Sequence, residues 1–107
     1  MERHGLVIKI KADRLEEYKE VHRKVWPEVL QTIHDCNIRN YSIFYRDGFL
    51  FATFEYYGED FKADMVKMAA DPKTQEWWKI TDPMQEPIET RAPDEWWAVM
   101  EEVFHTD

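Results

Sequence analysis

One cysteine, three glycines and no basic excess define this chain first by what it excludes. Cys36 has no second thiol to pair with, so no internal disulfide can form and a reducing cytoplasm is the expected setting. Met1-Glu2-Arg3-His4 leads directly into a strand-like segment and not into the apolar core of a signal peptide. No apolar run approaches the roughly 18 residues of a membrane span, so a soluble protein with no membrane partner is expected. So few glycines, and no Ser/Gly linker, argue against a disordered or low-complexity chain. With a formal charge of -8 and no basic stripe, the surface would repel phosphate backbones, which makes nucleic acid a poor partner. There is no P-loop and no G-x-G-x-x-G. His4, His34 and His105 stand singly on separate segments, without the His/Cys spacing of a zinc site. A structural metal is not expected, and nucleotide binding has no motif behind it.

What is present suffices for one domain over residues 1–107, with 44% hydrophobic and 15% aromatic content for a single core. Gly5–Ile10 alternates, with Leu6, Ile8 and Ile10 on one side and Lys9 and Lys11 on the other, as in a strand buried on one face. Asp13, with Glu16 three positions later, reads as the cap of a helix that carries Leu15, Tyr18 and His22 inward. Pro27 should break that helix before Val29, Leu30 and Ile33 resume the pattern. Ile38–Arg46 and Phe49–Tyr57 flank Asp47-Gly48, a tight-turn dipeptide, and together predict a hairpin. Asp60 should cap a helix bearing Phe61, Met65 and Met68, ended by Asp71-Pro72, and Thr74–Ile80 predicts a further helical turn. Pro83, Pro87 and Pro93 make residues 82–94 irregular, after which Trp97–Phe104 is the expected last strand, with Val99 and Val103 on one face.

That order, strand-helix-strand-strand-helix-strand, predicts the ferredoxin-like βαββαβ arrangement: an α+β fold with an antiparallel sheet and helices on one face. One layer of helices leaves the other sheet face bare, and aromatic strands of this kind are best buried against a second copy, so a homodimer is expected.

Chemistry concentrates in two places, Glu17-Tyr18 with His22 and Trp26-Pro27-Glu28, and the tandem Trp77-Trp78. Tyr18 and His22, four apart on a helix, aim a phenol and an imidazole at one volume, a spacing suited to proton transfer. Indoles and phenols offer flat apolar faces that match the C–H face of a pyranose, and N–H and O–H groups for its hydroxyls. On a helical turn Trp77 and Trp78 point in different directions, one toward the core and one toward a pocket. Tyr41 alternates with Ile43 and Tyr45 and by itself reads as sheet packing. Trp96 and Trp97 fit a pocket lid, a dimer contact or strand packing, and Glu28 could support the site through a hydrogen bond.

As a set, Glu17-Tyr18, His22, Trp26-Pro27-Glu28, Asn40-Tyr41-Ser42-Ile43, Trp77-Trp78 and Glu102-Val103-Phe104 resemble the L-rhamnose mutarotase family, small dimeric α+β barrel proteins that interconvert sugar anomers. The resemblance spans nearly the whole chain. It implies a cofactor-free isomerase in which His22 is the proton donor and Tyr18, Tyr41, Trp77 and Trp78 contact a 6-deoxy-hexose. Residues 84–97 are longer and more aromatic than in the better-known members, so L-fucose stands beside L-rhamnose as substrate. A cofactor-free oxygenase or isomerase on the same barrel, or a non-catalytic sugar-binding module, are the other readings.

Overall fold

The computed structural model describes residues 1–107, and its first strand, β1, runs from Glu2 to Ile10, three residues earlier than the alternation alone marks. Helices α1 (Leu15–His22) and α2 (Pro27–Asp35) follow, separated as Pro27 demands, with the proline at the first turn of α2 where its missing N–H costs nothing. Strands β2 (Ile38–Arg46) and β3 (Phe49–Tyr56) form the hairpin. Its turn holds Asp47 at φ 51° and Gly48 at φ 87°, the paired positive φ that matches strand twist. Helices α3 (Phe61–Ala70) and α4 (Pro72–Thr81) come next, then the short strands β4 (Gln85–Glu86) and β5 (Ala98–Met100).

All pairings are antiparallel and the strand order is β2-β3-β1-β4. β5 also pairs with β1, at Gly5–Val7, whereas β4 takes Lys9 and Ile10. The fourth position of the ferredoxin-like sheet is therefore one strand interrupted by an excursion over residues 87–97. Register sorts the two faces. Ile8, Ile10, Leu50 and Tyr18 gather with Met84 beneath α1, and Ile38, Phe54 and Tyr56 receive Phe61, Met65 and Met68 of α3. On the opposite face Phe44, Phe51, Val7 and Ala98 lie side by side across four strands, with no helix over them.

Two local expectations are corrected. Asp13 does not cap α1: it sits inside a 3-10 turn, Ala12–Arg14, and Arg14 takes the cap position with no side-chain bond to the helix N–H groups. Arg14 Nε instead pairs with Glu17 at 2.7 Å. The last strand stops at Met100, where its pairing with β1 ends opposite Gly5, and it buries Ala98 rather than Val99. Val103 and Phe104 lie beyond it, 87% and 79% exposed.

β2 carries one further irregularity. Register slips between Arg39 and Ser42, where Asn40 stands at φ 51°. Asparagine tolerates that left-handed geometry better than most residues. The extra residue reverses the parity of the strand, so Ile38 and Tyr41, Ile43 and Tyr45 all end up on the helix-covered face.

Candidate functional site

Between the inner sheet face and the helices lies a predominantly apolar cavity of ≈ 780 Å³, a size within the range of small-molecule sites. Tyr18 and His22 enter it from α1, Tyr41 from β2, and Thr74, Trp77, Trp78 and Asp82 from α4 and the turn after it. The two clusters separated by some fifty residues of sequence thus line one space.

α1 places its two groups as the four-residue spacing predicts: the Tyr18 and His22 rings are 4.2 Å apart, centroid to centroid. His22 Nδ1 lies 2.7 Å from the Tyr18 carbonyl oxygen. A carbonyl only accepts, so Nδ1 carries the hydrogen and the neutral ring keeps its lone pair on Nε2. Burial lowers the His22 pKa, and the bond to the carbonyl offsets this only in part. The neutral, proton-accepting imidazole is therefore the favoured form near pH 7.

Trp77 is 7% exposed and meets the His22 ring edge-on at 5.3 Å. Behind it Trp26 makes the same kind of contact, also at 5.3 Å, with Lys73 Nζ over the Trp26 ring. Trp77 therefore packs in the core and borders the cavity at once, while the half-buried Trp78 lines it one residue on. Trp26 is a buttress behind the wall. Glu28 is exposed and does not line the cavity, so the support envisaged for it is not made.

Tyr18 is 5% exposed, and burial drives its pKa well above the ordinary phenol value, with the nearby Tyr41 adding to the effect. Tyr41 keeps 41% of its surface exposed, but desolvation still pushes its hydroxyl up to about 12. Both phenols stay protonated and act as neutral hydrogen-bonding groups. Tyr41 reaches the inner face through the Asn40 bulge and meets the Phe54 ring at 5.6 Å.

Three residues of this region, two lining the cavity and one behind it, were not singled out from sequence as site groups. Asp82 lines the space without a hydrogen-bond partner for its carboxylate, and burial raises its pKa. Its position four residues after Trp78 on the same helical face was a usable signal. Gln85 is 5% exposed and bonds the Tyr18 hydroxyl, a contact made across 67 residues that no local pattern encodes. His4 stacks on Phe61 at 4.2 Å and lines the cavity. No cluster of three or more His, Cys, Asp or Glu side chains forms, and no helix is long and apolar enough to cross a membrane.

Comparison with known proteins follows the same lines. The sequence profile of L-rhamnose mutarotase matches residues 3–106. A relative described as L-rhamnose mutarotase, from Oceanobacillus iheyensis, is 30% identical over 109 residues and aligns over the full length of both chains. The crystal structure of an L-rhamnose mutarotase from Formosa agariphila superposes with a TM-score of 0.78 at 26% identity, again over the whole of both chains. Tetracenomycin F2 cyclase of Streptomyces glaucescens, a type-II polyketide cyclase, shares the fold at a TM-score of 0.71 and 13% identity, covering 99% of this chain and 96% of its own.

Proposed function

Because this chain belongs to the L-rhamnose mutarotase family, we propose that it interconverts the α and β anomers of L-rhamnose inside the cavity described above. The observation that carries this reading is the His22 imidazole, held by the Tyr18 carbonyl with Nε2 free, between Tyr18 and Trp77.

Mutarotation moves one proton from the anomeric hydroxyl to the ring oxygen. The C1–O5 bond breaks, C1 becomes an aldehyde, rotation about C1–C2 exposes its other face, and closure returns the proton. His22 Nε2 takes the hydrogen from O1 and gives it to O5. Both oxygens are bonded to C1, so one imidazole serves both steps. Tyr18 donates a hydrogen bond to the ring oxygen as the bond breaks, and the Asp82 carboxylate accepts one from a sugar hydroxyl. Trp77 and Trp78 pack against the C–H face and the C6 methyl group, and Tyr41 closes the sheet side. Apolar walls with few polar contacts suit a site that must hold both anomers and the open chain without gripping one of them.

A second copy of the chain covers the bare sheet face in this reading. The row Phe44, Phe51, Val7 and Ala98 supplies an apolar strip across the sheet, with Phe49 beside it at a ring distance of 6.1 Å from Phe51.

Anomeric-exchange NMR tests the reading. Catalytic amounts of protein should speed exchange between the two C1–H signals of L-rhamnose well above the spontaneous rate, with L-fucose as the comparison sugar. The cavity's apolar walls also suit an aromatic polyketide-like substrate. Exchange at the spontaneous rate together with turnover of such a compound would transfer the assignment to a cofactor-free enzyme of that kind. Sugar binding without exchange would make the protein a binding module.

A further inference from the structure

Trp96 stands on the excursion between β4 and β5, 42% exposed, yet its indole reaches a buried polar group. Trp96 Nε1 lies 2.8 Å from Gln85 Oε1, and Gln85 Nε2 lies 3.1 Å from the Tyr18 hydroxyl oxygen. An indole N–H can only donate, so the Gln85 carbonyl must face Trp96 and its amide nitrogen must face Tyr18. An amide nitrogen cannot accept in return. Tyr18 oxygen therefore receives a hydrogen from Gln85 and keeps its own for another acceptor, and no protein group takes it. Tyr18 lines the cavity, so that hydrogen is available to whatever occupies the space.

The loop that carries Trp96 is itself held. Glu95 Oε1 accepts from the backbone N–H of Ala92 at 3.0 Å and of Val99 at 3.3 Å, tying the excursion to the start of β5. Gln85 stands opposite Ile10 in the sheet. The relay thus runs from a pinned loop, through a sheet position, to the phenol beside His22.

We propose that Trp96 is a positioning residue: acting through Gln85, it fixes the direction of the Tyr18 O–H bond so that the phenol donates to an oxygen of the bound sugar. Remove the indole N–H and the Gln85 amide is free to turn over. Its carbonyl then takes the Tyr18 hydrogen, and the cavity loses its donor. The inference rests on the mutarotase reading and adds to it a role for the aromatic excursion.

Trp96→Phe keeps an aromatic ring where Trp96 borders the cavity, while deleting the N–H donor and trimming the indole to one ring. Its kcat/KM for L-rhamnose exchange should fall by roughly 5- to 10-fold, the scale of one neutral hydrogen bond, with an unchanged thermal midpoint. In a Tyr18→Phe background the same substitution should produce no further loss, because the hydroxyl it directs is gone. An equal loss in both backgrounds, or no loss in either, overturns the proposal. A wild-type protein that leaves exchange at the spontaneous rate defeats the mutarotase reading instead. The relay is read without turnover from the Trp96 indole ¹⁵N–¹H signal: Gln85→Leu should shift it and speed its exchange with solvent. An unmoved signal overturns the relay whatever the activity.

Discussion

His22 closes α1, where helix carbonyls lack partners and a cation is ordinarily favoured. Burial wins over that field and lowers the pKa. The rate of enzymatic exchange, corrected for the spontaneous reaction, should therefore be level through pH 7 and decline as acid protonates Nε2, with a midpoint below about 6.5. His22→Gln should cut kcat by about 10²-fold or more while leaving the fold intact. The sign for stability follows from the same shift. Between the folded and unfolded pKa values the unfolded chain binds more protons, so stability falls as pH drops below about 6.5. Asp82 behaves oppositely. Its folded pKa is raised by burial, so its contribution is greatest below the unfolded value and is lost as pH rises through the folded one. Asp82→Asn should accordingly raise the thermal midpoint at pH 7 while raising KM about 10-fold, since a charged acceptor is lost from the sugar. Calorimetry and exchange kinetics on one preparation check both halves. Of the site residues, Tyr18 and His22 were legible in sequence because helical spacing fixes which residues share a face. Gln85 and Trp96 were not, because hydrogen-bond partners far apart in sequence are chosen by packing.

Among the elements, the turn between α3 and α4 is the most economical. Asp71 ends the first helix and starts the second: its carboxylate accepts from Thr74 N and from Thr74 Oγ1, each at 2.9 Å, and these bonds hold its pKa below the usual carboxylate value. Asp71→Ala should lower the urea midpoint, because it removes the side-chain cap of α4. It should also weaken exchange, since α4 carries Trp77 and Trp78. Hairpin, proline break and Asp60 cap were all readable locally, because each depends on φ restrictions or a side chain bonding its own next turn. Asp13 misled: the same residue types served a 3-10 turn, where an acid has no free helix N–H to reach. The final strand misled for a different reason, since it pairs with β1, a partner encoded ninety residues earlier.

For the molecule as a whole, the bare sheet face is the surface on which the proposed dimer rests. Phe51→Lys, at the centre of the cross-strand row, should convert a dimer into a monomer in analytical ultracentrifugation, because a charge would be buried in the apolar strip. A wild-type monomer would remove the basis for that reading.

Alternation, helical spacing and turn chemistry are short-range, so the sequence by itself determined the element order, the inner faces and the pairing of Tyr18 with His22. Tertiary structure alone decided that a bulge at Asn40 would turn Tyr41 inward, that the fourth strand would be split, and that Trp96 would reach Tyr18 through Gln85. Each of these depends on which distant backbone or side chain arrives opposite a given residue, and that is settled only when the sheet closes and the core packs.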